Sequence, residues 1–333
     1  MQRHVARPMA CPTIASCFPE SIVRVTHTFP SSSPQQASNA APAPDASQRR
    51  NMGQNTSAQR ANADLSTSPI EMFASLWRNR ELILASTRRE ILGRYRGSFL
   101  GLFWSFLNPL FMLAVYTFVF SVVFKARWNV ESASKTEFAL VLFAGLIVFN
   151  LFGETINRAP TLVISNPNYV KKVIFPLQIL PVVTLLSALF HAAISLGVWL
   201  LAHLIFFGLP HATVLYLPFI VLPFLLLILG LAWALASLGV FLRDISQFIG
   251  TLVTVLMFMT PIFYPITALP EKIRPWLYLN PLTPIVEQAR DALYWGKPPD
   301  LALLGIYTLI AAAVAWLGFS WFQKTRKGFA DVL

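Results

Sequence analysis

Apolar residues fall into six long runs between Phe99 and Phe322, separated by short polar connections. The predicted spans are Phe99–Phe124, Phe138–Asn157, Pro176–Phe207, Val214–Leu242, Phe248–Tyr264 and Leu301–Phe322. About 20 apolar residues in helix cross a hydrocarbon core, and inside lipid only helices and closed barrels satisfy the backbone. Barrel strands alternate polar and apolar over about 10 residues, whereas these runs are longer and continuous. The pattern predicts an all-α integral membrane protein with six transmembrane helices over residues 99–333. Prolines 109, 181, 218, 223 and 261 fall within the runs, and each removes a backbone donor and marks an expected kink. Between spans five and six, Pro265 to Asp300 is too long for a hairpin and too polar for a full span. Its two apolar patches, Trp276–Leu279 and Ile285–Tyr294, predict two short re-entrant or interfacial helices on the outer side.

Ahead of the first run, residues 66–98 carry a different periodicity. Ser68-Pro69-Ile70-Glu71 reads as a helix start, with Ser68 capping, Pro69 at the first helical position and Glu71 closing a capping box. Phe73, Trp77, Leu84, Ile91 and Tyr95 then recur at helical spacing, with arginines over much of the remaining surface. This is the pattern of an amphipathic helix lying in the membrane interface; a soluble helix packed on a partner is the alternative. Gly97-Ser98 offers a break before the chain enters the bilayer. Residues 1–65, rich in Ser, Pro, Ala, Gln and Asn, are expected to be a disordered extension. They lack the continuous apolar core of a secretory signal; a transit peptide, or translation from Met52, are alternatives for this stretch.

Only 12% of residues are charged and 55% are hydrophobic, against about 25% charged in soluble domains. The net charge of +11 sits in short loops beside apolar runs, which suits anionic headgroups and topology control rather than nucleic acid. With the N-terminus inside, thirteen Lys and Arg residues fall on the cytoplasmic side. The outer loops carry seven: Lys125, Arg127, Lys135, Lys272, Arg274, Arg290 and Lys297. That bias predicts both termini in the cytoplasm. Cys11 and Cys17, the two cysteines, lie in the N-terminal extension and imply neither a disulfide framework nor a metal site.

No phosphate-binding loop, zinc-protease or nucleophile-elbow motif occurs. Ionisable residues within the spans are few: Glu154, His191 and His203. An intramembrane carboxylate is a functional candidate, but Glu154 lies near a span end before Asn157 and Arg158, where an ion pair outweighs a proton relay. His191 and His203 are 12 residues apart on one span, about 18 Å by the helical rise, too far to share a metal. So few buried charges disfavour an ion-coupled transporter and point to an energy source outside the chain. The amphipathic connection Arg158–Phe175, with Asn166, Asn168, Lys171 and Lys172, is the best candidate to receive that energy; the plain alternative is a solvated loop.

Several fragments, in order, resemble the permeases of ABC-2-type exporters of the O-antigen, capsule and teichoic-acid branch. They are Arg94-Tyr95-Arg96-Gly97-Ser98 through Gly101, Trp104 and Asn108-Pro109; Ser165-Asn166, Lys171, Phe175-Pro176 and Pro181; Phe241-Leu242-Arg243-Asp244-Ile245; Pro261-Ile262-Phe263-Tyr264; Asn280-Pro281 with Arg290; and the tail Phe329–Leu333. The resemblance runs from about Glu71 to the C-terminus. It implies a permease in the bacterial inner membrane, not itself an enzyme, working as two copies with two copies of a separate ATPase subunit that carries ATP and Mg. Its implied substrate is a polyprenyl-linked glycan such as O-antigen or capsule. It assigns ATPase coupling to Arg88, Arg89, Arg158, Asn166, Asn168, Lys171 and Lys172. Arg94, Tyr95, Arg96, Gly97 and Gly101 would border the substrate entrance, the arginines attracting the carrier phosphates; snorkelling to headgroups is their alternative. An aromatic-lined conduit would draw on Trp104, Phe111, Tyr116, Phe263 and Tyr264, though packing alone accounts for many such side chains. Export of a drug or simple lipid by the same kind of permease is the runner-up, and a polytopic carrier-lipid transferase is the alternative from another class.

Overall fold

The computed structural model describes residues 67–119, 135–171 and 175–332. The N-terminal extension, the predicted end of the first span to Phe124, and Lys172 lie outside them. The described residues are mostly helical, with no strand among them.

Helix α1 (Pro69–Arg78) starts as its sequence predicts: the Ser68 side chain accepts from the Ile70 amide. Glu71 pairs with Arg78 two turns on, at 2.7 Å. The interface segment is not one helix. Asn79 leaves helical geometry, and its side-chain amide joins its backbone N–H on the Ser75 carbonyl, the competition with the backbone that disfavours Asn inside helices. A second helix, α2 (Arg80–Tyr95), follows. Met72, Ser75, Ile83 and Thr87 are the buried positions of the pair, whereas Phe73, Trp77 and Leu84 from the predicted apolar stripe are exposed, the orientation of a lipid-facing surface. Trp316 and Ser320 both donate to the Thr67 carbonyl, which ties the start of α1 to the bundle.

Gly97, at φ 84°, ends the interface segment in a left-handed turn that a side chain would strain. After a 3-10 turn at Gly101–Phe103 comes α3 (Trp104–Tyr116). The bundle continues with α4 (Lys135–Arg158), the five-residue α5 (Pro167–Lys171), α6 (Ile179–Phe207), α7 (Leu217–Phe241) and α8 (Ile245–Met259). Two short helices, α9 (Arg274–Tyr278) and α10 (Leu282–Arg290), precede α11 (Leu301–Thr325) and the tail helix α12 (Phe329–Val332).

Five described helices are long and apolar enough to cross a membrane: Gly101–Val119, Thr136–Thr161, Ile179–Phe207, Ala212–Phe241 and Leu301–Gly328. The expected fifth span, Phe248–Tyr264, is shorter than predicted. It is helical over Ile245–Met259, about 22 Å at the helical rise against a hydrocarbon core of about 30 Å. The cause is local. Pro261 has no N–H and drives the preceding residue out of helical space, and Thr260 is indeed extended. The two short helices expected after it are present as α9 and α10.

Burial orders the bundle. Nearly all residues of the span containing α4 are buried and few of those of the span containing α3 are, so α4 is the core of the fold and α3 a peripheral element. Helix α4 packs on α6, α8 and α10, and α7 packs most extensively on α11. Two buried indoles stitch the layers, Trp199 donating to the Leu140 carbonyl and Trp233 to that of Gln178. Where α7 crosses α11, Gly230 and Gly318 bring backbone against backbone, with no room for a Cβ on either, the small-residue packing that membrane helices use in place of a hydrophobic drive. Gly318→Ala is therefore expected to lower stability by about 1–3 kcal/mol through overpacking, read as a reduced unfolding temperature in nanodiscs, whereas Gly305→Ala on the open side of α11 leaves it unchanged.

Candidate functional site

The interface segment and the bundle meet at a cleft of about 400 Å³ built by five elements. The last turn of α2 supplies Arg94 and Tyr95, α3 supplies Ser105, Asn108 and Tyr116, α4 supplies Asn150, Glu154 and Asn157, α6 supplies His191 and Ser195, and Val253 of α8 closes one wall. At its centre Arg94 Nη2 donates to Glu154 Oε1 at 2.6 Å. Arg94 Nη1 lies 3.0 Å from His191 Nδ1, which also sits 3.2 Å from Glu154 Oε1. On the other edge of that imidazole, Nε2 is 3.2 Å from the Tyr95 hydroxyl. Residues separated by 37 to 97 positions thus form one cluster. The arrangement carries a cation, an anion and a titratable ring at the edge of the apolar bundle. It contains no nucleophile–base pair aimed at a common point, so it is suited to binding and exchanging charged groups.

Among the residues expected at the entrance, Arg94 and Tyr95 line this cleft. Gly97 and Gly101 supply positive-φ turns beside it, at 84° and 51°. Arg96 caps α2 with an exposed side chain that makes no hydrogen bond among the described residues. The expected conduit aromatics do not converge. Tyr116 lines the cleft, Trp104 and Phe111 are exposed on α3, and Phe263 and Tyr264 fold back on the end of α8, where Phe263 stacks on Phe258 and Tyr264 donates to its carbonyl.

The residues expected to couple to an ATPase fall into a second constellation. Arg89 Nη2 donates to the Tyr169 hydroxyl at 2.6 Å, and Arg158 pairs with Glu90 at 2.6 Å. The interface helix α2 is thereby tied to the α4–α5 connection at two points. Asn166 shapes that connection by donating to the Leu162 carbonyl. Arg88 and Asn168 are exposed, and Lys171 ends α5. Tyr169 and Glu90 were not singled out by sequence. The signal for Glu90 was its place within Arg88-Arg89-Glu90, where a lone acid among arginines needs a partner.

A third arrangement, at the opposite end of the bundle, corrects the reading of Arg290 as an outer-loop charge. Arg290 is 1% exposed. Its Nε donates to the Val141 carbonyl of α4, its Nη2 to that of Ile262 at 2.7 Å, and its Nη1 to those of Pro261 and to Glu287. Gly145 provides the room, because a Cβ there would lie 2.6 Å from Nη2. Burial draws the guanidinium down to about 10 with Glu287 opposing, which leaves it cationic at neutral pH. Asn280 completes the arrangement, donating to Thr260 Oγ1 and accepting from the Leu282 amide. The sequence signal was available: Leu282, Ile285, Val286, Ala289, Ala292 and Leu293 make a buried stripe around position 290.

The family model for ABC-2 type transporters matches residues 81–294. An O-antigen export system permease protein RfbA of Myxococcus xanthus is 29% identical over 264 residues, covering 79% of this chain and 99% of its own length. Two RfbA permeases of Klebsiella pneumoniae are each 24% identical over 254 and 255 residues, covering 76% of this chain and 95% of theirs. The matched range contains the cleft, the coupling constellation and the Arg290 arrangement.

Proposed function

The chain belongs to the ABC-2 type transporter family, and on that premise we propose that it is the permease of an ATP-driven exporter that moves a lipid-linked O-antigen or related surface glycan across the inner membrane. As a multi-pass transmembrane subunit it does not itself catalyse a reaction. A second copy of the chain and two ATPase subunits, which carry ATP and Mg, complete the transporter. The observation that carries the substrate is the near full-length match to three O-antigen permeases, joined to a polar, arginine-bearing cleft at the start of the first span. Arg94 and the exposed Arg96 attract the carrier's phosphates there, and Gly97 and Gly101 let the chain turn tightly beside them. The ATPase docks on the surface formed by α2 and the α4–α5 connection. Both termini face the cytoplasm, and moving Arg290 from the outer loops to the protein interior strengthens the charge bias that sets this orientation.

Deletion of the gene is the test. Loss of surface glycan with accumulation of the carrier-linked form inside the cell is the expected result. Unchanged surface glycan, with no duplicate exporter present, favours a drug or simple lipid as cargo, and loss of glycan in both places favours a defect in synthesis.

A further inference from the structure

The cleft beside α3 holds more polar chemistry than its own contacts consume. On α4, Asn150, Glu154 and Asn157 succeed one another at spacings of four and three, one helical face, and all three line the cleft. The amides of Asn108, Asn150 and Asn157 find no hydrogen-bond partner among the described residues. Polar groups at membrane depth face a protein interior or a water-filled cavity rather than lipid, so these side chains mark a site for water or a polar ligand. The ion pair within it is open to that space: the Arg94 and Glu154 side chains are 38% and 22% exposed. Arg94 presents two N–H directions, one to Glu154 and one toward His191, a fork that suits two oxygens of a phosphate group as well as it suits a carboxylate.

We propose that Glu154 is an exchangeable stand-in for the diphosphate of the lipid-linked substrate, holding Arg94 and His191 in position and releasing them when that diphosphate enters. The proposal rests on the export reading above and adds how the site selects. An uncovered arginine facing lipid would be saturated by ordinary phospholipid headgroups, which outnumber any carrier. A singly charged phosphodiester gains nothing by displacing a carboxylate of equal charge. A diphosphate, with more charge and more acceptors, does, and the amides of Asn108, Asn150 and Asn157 give it further donors. Selectivity thus comes from an internal competitor. Displacement also keeps affinity moderate, so the cargo can leave.

The experiment uses the full chain in phosphatidylcholine nanodiscs, with a polyprenyl diphosphate as probe and phosphatidylglycerol as competitor. Glu154→Gln is expected to bind the probe roughly tenfold tighter, the worth of one charge-assisted hydrogen bond, and to become sensitive to phosphatidylglycerol, which the wild type resists. Glu154→Asp, retracted by one methylene, is expected to shift in the same direction and serves if the glutamine variant does not fold. Wild-type affinity and wild-type resistance in the variant would overturn the exchange. Equal tightening for uncharged polyprenol would overturn it too, since the change would then act on packing. Inorganic pyrophosphate binding as tightly as the lipid would overturn the lipid source. Weaker binding in Arg94→Ala without any gain in Glu154→Gln defeats the exchange and leaves the entrance standing. Unchanged binding in Arg94→Ala defeats the entrance itself.

Discussion

Arg290→Ala is expected to leave little folded protein: a collapse in yield and, in what survives, an unfolding temperature lowered by ten degrees or more in nanodiscs, on the scale by which about 1 kcal/mol moves a domain of this size a few degrees. The guanidinium satisfies carbonyls at Val141, Pro261 and Ile262 and pairs with Glu287. The Pro261 and Ile262 carbonyls, outside any helix, lose a donor at about 1–3 kcal/mol each. The Val141 carbonyl keeps its place in the α4 ladder, and a deleted buried cation also strands its carboxylate. Arg290→Lys keeps the charge but gathers its donors at one point, so it cannot reach carbonyls on both α4 and the Pro261 break; an intermediate loss is expected. Gly145→Ala pushes a methyl into the guanidinium and is expected to destabilise by itself. Combined with Arg290→Ala it should add almost nothing, the non-additivity of residues that share one arrangement. Additive losses would show that Gly145 and Arg290 act separately. Because the three carbonyls join the core helix α4 to the broken end of α8, partial loosening is also expected to expose the Pro261–Tyr264 segment to protease before the rest of the bundle opens.

Long apolar runs report spans directly, because a membrane helix buries its backbone bonds internally and needs only length and apolarity. Five of the six runs accordingly appear as helices of spanning length, four of them close to both expected ends, while the far end of the first run lies outside the described residues. The turn at Gly97 was legible because positive φ selects glycine. What remained hidden was decided by partners distant in sequence. Glu154 looked like a helix-end ion pair; it is an ion pair, but its cation is Arg94, 60 residues away, and its second partner is His191. Arg290 looked like a loop charge because its local window is mixed, and only the fold brings the backbone carbonyls of Val141 and Ile262 to it. Asn79 and Pro261 each broke an expected helix through backbone chemistry visible in the sequence, masked by the periodicity around them.

Reversing either charge of the Glu90–Arg158 pair is expected to reduce glycan export more than tenfold while leaving the protein folded. The pair bridges the interface helix and the α4–α5 connection at 2.6 Å, with side chains 37% and 24% exposed for Arg158 and Glu90. The pair is only partly exposed and Glu90 Oε1 itself is buried, so its loss costs more than the about 0–1 kcal/mol of a fully exposed pair but leaves in place the bundle held by α4 and the α7–α11 crossing. Its proposed value is mechanical. If the ATPase pushes on the α4–α5 connection, the push reaches the substrate cleft by moving α2, whose last turn carries Arg94, and the two ties at Arg89–Tyr169 and Glu90–Arg158 make α2 and the connection move together. Glu90→Arg and Arg158→Glu, each alone, set like charges at contact distance and part the two segments. The double swap restores the attraction with the signs exchanged and is expected to restore export, with ATP hydrolysis by the partner persisting in the single variants, no longer linked to glycan movement. Tyr169→Phe, which removes only the hydroxyl that Arg89 reaches, should give a milder defect in the same direction. Full export in both single reversals would show that motion passes to the cleft by another route, the direct packing of α2 on α6 being the one the fold offers.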